Sequence, residues 1–127
     1  MSRGPTDAGA ATIMALAIVS VLVLVAAGMA AGGRLLAAHV QATAAADAGA
    51  LAAAPLTLLA GDPHQEAVRY VSQNGANLVR CICRKDVSFR VRVITVEVSK
   101  PAELPLFGAL TVRARAAAEF DPMDLIR

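Results

Sequence analysis

The sequence has no tryptophan, one tyrosine and three phenylalanines in 127 residues, so it cannot build a thick aromatic core. It has no block of like charge either: 12 Lys and Arg stand against 10 Asp and Glu, a formal net charge of +2. With neither a basic stripe nor stacking aromatics, a nucleic-acid partner has no support. Histidine is confined to His39 and His64, and cysteine to Cys81 and Cys83. There is no glycine-rich phosphate loop and no Ser/His/Asp set in a convincing context. The chain therefore reads as non-enzymatic, with no cofactor and no metal. What it has in excess is alanine, 29 of 127 residues, and 57% of the chain is hydrophobic against 17% charged. That composition is too apolar for intrinsic disorder and high for a soluble domain.

The apolar residues are concentrated at one end. From Ala8 to Gly33, between Asp7 and Arg34, no side chain is ionisable. As a helix this stretch measures roughly 39 Å at about 1.5 Å per residue, longer than the ~30 Å hydrocarbon slab. Backbone amides in lipid must be satisfied within the segment, so helix is the state expected of a single run despite its valines. A cleaved secretory signal is the rival reading, with Ala27, Gly28, Ala30 and Ala31 as small residues near a cut. Against it, the start carries one Arg offset by one Asp, and the stretch exceeds the ~7–15 residues of a signal. The N-terminal amine and Arg3, less Asp7, against Arg34 give a slight preference for the N-terminus inside, the C-terminal part lying outside the cytoplasmic membrane.

The helix is expected to continue through residues 34–54, which lack proline until Pro55 and are rich in the best helix former. Leu35, Leu36, Val40 and Leu51 form a thin stripe among the alanines, too small to bury itself alone. Gly28 and Gly32, spaced as GxxxG, would let helix axes approach closely; chance pairing in a Gly/Ala-rich segment is the plainer alternative. Pro55 and Gly61-Asp62-Pro63 then break the helix. Asp62 can cap a second, short helix with Pro63 at its first position and Glu66 in its first turn, stopped by Asn74-Gly75.

Beyond Gly75 the period changes to two. Leu78, Arg80 and Ile82 alternate with Val79, Cys81 and Cys83. After a turn at Arg84-Lys85-Asp86, Val87, Phe89, Val91 and Val93 alternate with Ser88, Arg90 and Arg92. The alternation slips at Val93-Ile94, which predicts a bulge or strong twist there. A loop from Lys100 to Gly108 leads to a last strand, Leu110 to Ala116, followed by a loosely attached tail from Phe120. The fold class is α+β: a long transmembrane and stalk helix, a short second helix and a small three-stranded antiparallel sheet, a pilin-like lollipop. The expected divisions are a cytoplasmic stub at 1–9, a transmembrane helix at 10–33, an alanine-rich extension at 34–54 and a head domain at 55–127.

Four segments carry a resemblance: Asp7-Ala-Gly-Ala-Ala-Thr12, the block Gln41 to Ala54, Asn74-Gly-Ala-Asn-Leu78 before Cys81, and Val112-Arg-Ala-Arg-Ala116. Through them the sequence resembles the TadE/TadG-like pseudopilins of tight-adherence (Flp-type) pilus systems, in particular the actinobacterial TadE-like proteins of a helicase/secretion neighbourhood. The resemblance implies a structural subunit whose partners are membrane lipid, other pilin-like or secretion-system subunits, and further copies of itself through the stalk. It also implies processing after Gly9, although prepilin sites resemble a Gly with Glu five residues on and this chain has Met14 there. Family members tend to have two separated cysteines, whereas here both lie at the first strand.

Cys81 and Cys83, two apart on a strand, would sit about 6.6 Å apart at ~3.3 Å per residue, near the upper limit for a bridge. Free, partly buried thiols and a local or intermolecular disulfide both stand open; metal ligation has little support, since zinc would want four ligands and only the isolated His39 and His64 could join. Arg90, Arg92, Arg113 and Arg115 read as the wet face of the sheet, mutually repulsive unless Glu97 or Glu119 intervenes. The functional expectation is a membrane-anchored structural subunit of a pilus-related or secretion assembly. A stand-alone anchored binding module, or a small domain secreted after signal cleavage, are the alternatives.

Overall fold

Helix α1 runs Pro5–Leu56, helix α2 Pro63–Gln73, strands β1 Asn77–Ile82, β2 Arg92–Leu104 and β3 Gly108–Phe120, with a final 3-10 turn at Pro122–Leu125. This computed structural model describes residues 5–105 and 107–127. Residues 1–4 of the expected stub, Arg3 among them, and Leu106 of the expected loop lie outside the described residues. The chain divides into two units, Met1–Gly33 and Arg34–Arg127.

In the first unit the helix is apolar on every side. Residues 9–30 are all exposed, and the most apolar 18-residue window has a mean hydropathy of 2.7 with none of it buried. A helix with no polar face has no side to offer water. The hydroxyl of Ser20 donates to the Leu16 carbonyl at 2.8 Å, so the one serine of this stretch satisfies itself within the helix.

In the second unit the alanine-rich half of α1 forms one wall of the core. Ala38, Ala42, Ala45, Ala46, Ala50, Ala53 and Ala54 are buried together with Ala67 and Val71 of α2, Ile94, Val96 and Val98 of β2, and Val112, Ala114, Ala116 and Ala118 of β3. The thin stripe of larger residues, expected to be too small to bury itself alone, takes no part in this core. Leu36, Val40 and Leu51 are 65%, 59% and 66% exposed, and the alanines between them meet this chain's own sheet. Small side chains let the helix lie close, and the aliphatic volume comes from the strands.

Helix α2 forms as its sequence dictates. Asp62 accepts from the N–H groups of His64 and Gln65 at 2.9 and 3.4 Å, Pro63 opens the helix and Ala67 and Val71 face inward. Gly75, at φ +70°, donates to the Ser72 carbonyl at 3.0 Å, and Ala76 to Val71 at 3.2 Å, the closing pattern that a left-handed glycine permits.

The sheet is antiparallel in the order β1-β2-β3, with departures from the sequence pattern. The bulge lies in β1, between Leu78 and Arg80, and not at Val93. It turns both Leu78 and Cys81 toward the core, where strict alternation would have put them on opposite faces. Residues 87–91 form no strand, and β2 starts at Arg92. At its other end β2 continues through the expected loop to Leu104, paired with Gly108. Pro101 is tolerated because β1 covers β2 only from Thr95 to Ser99, leaving that side open where a missing N–H costs nothing. The hairpin closes in three residues, with Phe107 donating to the Leu104 carbonyl at 3.3 Å and Gly108 at φ +79°. The tail is held as far as Pro122, since β3 runs to Phe120 and Pro122 is buried, while residues 123–127 are exposed.

Candidate functional site

Apart from the two cysteines, the chemistry-bearing residues fall in three places. In the first unit, a Cβ built at Gly9, Gly28 or Gly32 meets nothing within 4 Å. The GxxxG pair therefore lies open to whatever surrounds the helix, beside Leu24, Val25 and Met29, themselves largely exposed.

The second place is the start of β2. Arg92, expected on the wet face of a strand, instead reaches into the segment before it. Its Nε donates to the Arg90 carbonyl at 3.2 Å, one terminal nitrogen to the Asp86 carbonyl and the other to the Ser88 carbonyl, and the first also approaches Thr57 Oγ1 at 3.5 Å. Its guanidinium carbon stands 6.0 Å from the Phe120 ring centre. One planar cation thus organises residues 86–90, the end of α1 and the end of β3. Asp86 N–H donates to the Thr57 carbonyl at 2.9 Å, and Thr57 Oγ1 donates to Ala54 at 2.7 Å. The Asp86 carboxylate accepts from Ser88 N–H at 2.8 Å. That bond chiefly, with the positive charges of Arg92 and Arg90, holds its pKa below the ordinary carboxylate value. The signal in the sequence was the slip at Val93-Ile94: the alternation failed because the residues before it never join the sheet.

At the end of β1 the structure joins Cys81 to Cys83 in a disulfide, their Cα atoms 5.4 Å apart. The shorter span than a fully extended strand gives follows from Cys83 lying just past the last residue of β1. His39 and His64 are exposed and far from this pair in sequence, and among the described residues no three His, Cys, Asp or Glu side chains gather as metal ligands.

The third place is the outer face of the sheet. The pairing register sets Arg80 opposite Glu97 and Glu97 opposite Arg115, so an acid on β2 separates the two arginines as a cross-strand ladder. With Ile82 and Thr95 these side chains line a depression of about 30 Å³, room for a water and no larger ligand. Arg113 and Arg115 are exposed on β3, and Glu119 lies further along the same face. No sequence signal singled out Gly49, yet a Cβ there would fall 2.7 Å from Val71 Cγ2 and 3.4 Å from Val96 Cγ1. It is the point where α1 approaches α2 and β2 most tightly among the glycines.

Comparison with known proteins adds one finding. Residues 9–55 match the model of a family described as putative Flp pilus-assembly TadE/G-like, which supports a TadE-like protein and covers the apolar helix with its alanine-rich continuation. No curated protein and no solved structure matches the chain.

Proposed function

From the TadE/G-like match over residues 9–55, we propose that the chain is a membrane-anchored structural subunit, minor-pseudopilin-like, of a tight-adherence pilus or a related secretion assembly. The observation that carries this reading is a helix without a polar face, exposed throughout its most apolar window, in the same stretch that matches a pilus-assembly family. Such a surface is stable in lipid or in the packed interior of a fibre and not in water. Cytoplasmic N-terminus, lipid-held span at residues 10–33 and extracytoplasmic residues 55–127 complete the proposal, with Gly28 and Gly32 admitting a neighbouring stalk at short range. No residue is assigned a catalytic role; the work done is lateral association and storage in the membrane.

Fractionation tests it. The full-length chain is expected in the membrane pellet, resistant to alkaline carbonate, with its C-terminal part digested by protease added from outside. N-terminal sequencing of membrane and medium fractions reads processing after Gly9, a cut near residue 30 or an intact N-terminus. Recovery of the unprocessed chain as a dispersed protein free of detergent, lipid and partner subunits overturns the proposal. Retention of normal localisation in a host lacking any secretion ATPase would instead favour a stand-alone anchored module.

A further inference from the structure

The two edges of the sheet are not alike. β1 is six residues long and interrupted by its bulge, a form that discourages further pairing. β3 is thirteen residues long, Gly108–Phe120, paired to β2 without interruption on one side and terminal in the sheet on the other. It contains no proline and no lysine, and its side chains between Val112 and Ala118 are small except for Arg113 and Arg115. A long, regular edge of this kind presents a row of unpaired backbone donors and acceptors, a template for another strand.

The charges on β3 name the strand. Thr111, Arg113, Arg115, Ala117 and Glu119 are exposed, while Val112, Ala114, Ala116 and Ala118 are buried. For two copies of β3 to pair antiparallel and keep their inner alanines on one face, the residue numbers of each facing pair must sum to an even value. Centring the pair on residue 113, 114 or 115 sets arginine against arginine or against an uncharged partner. Centring it on 116 sets Arg113 against Glu119 and leaves Arg115 facing Ala117. Centring it on Ala117 sets Arg115 against Glu119 of the second copy, twice by symmetry, and leaves Arg113 beyond the paired stretch, so that every charge inside the pairing meets its opposite. In that register the overlap runs from Ala114 to Phe120 and stops where Pro122 forbids further pairing.

We propose that a second copy of this chain docks on the free edge of β3, the two strands antiparallel about Ala117, so that two three-stranded sheets become one of six. The pairing is isologous and closes on itself. It uses residues outside the family-matched segment and does not depend on the stalk reading.

The test is disulfide trapping of the full-length chain in detergent with a mild oxidant. Facing Cα atoms in an antiparallel pair lie about 4.5–5.5 Å apart, within disulfide reach. Ala117→Cys is expected to give a cross-linked dimer, and Ala109→Cys, on the same edge but beyond the overlap, is not. Adding Glu119→Arg to Ala117→Cys should lower the cross-linked fraction about tenfold, because Arg then faces Arg. Glu119 pairs with Val93 inside the chain, so that change creates no internal clash. Mixing the Glu119→Arg and Arg115→Glu chains, each with Ala117→Cys, should restore cross-linking between them. Gly28→Leu with Gly32→Leu should leave the yield unchanged, separating this contact from any association of stalks. Equal yields from Ala117→Cys and Ala109→Cys, or a yield indifferent to Glu119→Arg, overturn the proposal; far-UV circular dichroism confirms that each variant is folded.

Discussion

Gly49 and Val71 are held so close that a single methyl at position 49 would stand 2.7 Å from Val71 Cγ2. Val71 is fully buried and stiff at χ1, so it cannot swing aside. Gly49→Ala gains about 1 kcal/mol of helix propensity and incurs about 1–3 kcal/mol of overpacking. Thermal unfolding of the full chain in detergent should show a lower midpoint for Gly49→Ala, while Gly28→Ala, with open space around it, should not lower it.

Arg92 carries the segment before β2 on hydrogen bonds to three carbonyls. Arg92→Lys keeps the charge but lacks the planar fork, so it cannot serve all three at once. A loss of about 1–3 kcal/mol is expected, together with faster proteolysis and amide exchange within residues 84–91. Arg90→Lys, with no such bonds from its side chain among those described, is the control and should leave both unchanged.

Asp86 is ordered by Ser88 N–H and the neighbouring arginines, and its pKa lies below the ordinary value of 3.8. A depressed carboxyl favours the folded state at pH values above its unfolded pKa, and the contribution is lost as pH falls through the folded value. Carboxyl-carbon NMR titration should give a midpoint below 3.8, and the local order of residues 86–92 should decline as pH falls through that midpoint. Asp86→Asn should remove this acid-dependent step.

Cys81 and Cys83 are joined in the structure. Protein purified from an oxidising compartment should therefore take up no maleimide until reduced and unfolded, and two equivalents thereafter. Uptake of two equivalents without reductant would show free thiols instead.

Gly28→Leu and Gly32→Leu place bulky side chains on the outside of the apolar helix, where no described residue stands within 4 Å. Circular dichroism should be unchanged, and cross-linking between stalks in detergent should fall if close helix approach holds them together.

Much of the fold was legible because its signals are local. The Asp62 cap, Pro63 and the stop at Gly75 each act through neighbouring backbone groups, and an uncharged run of 26 residues from Ala8 to Gly33 needs no partner to be recognised. The misread parts depend on distant residues. Val87 to Val91 carry a strand's alternation, but Arg92 binds the carbonyls of that stretch and keeps it out of the sheet. Val79 became the extra residue of a bulge because of what β2 offers opposite it. The direction of the alanine-rich helix was equally hidden, since Leu36, Val40 and Leu51 have the apolarity of a core and the alanines the neutrality of either side. Only the presence of β2, with its own row of Ile94, Val96 and Val98, decides that the smaller residues turn inward.

That inversion limits what this helix can become. Where an ordinary amphipathic helix can exchange one bulky residue for another on its inner face, positions 42, 45, 46, 49, 50 and 53 are filled by Ala and Gly with almost no exposed area, so nearly every substitution there adds volume that the sheet must absorb. The opposite side is free to drift in size and polarity. Variation in this segment is therefore confined to the half that faces away from its own chain, the half on which any new associate would be met.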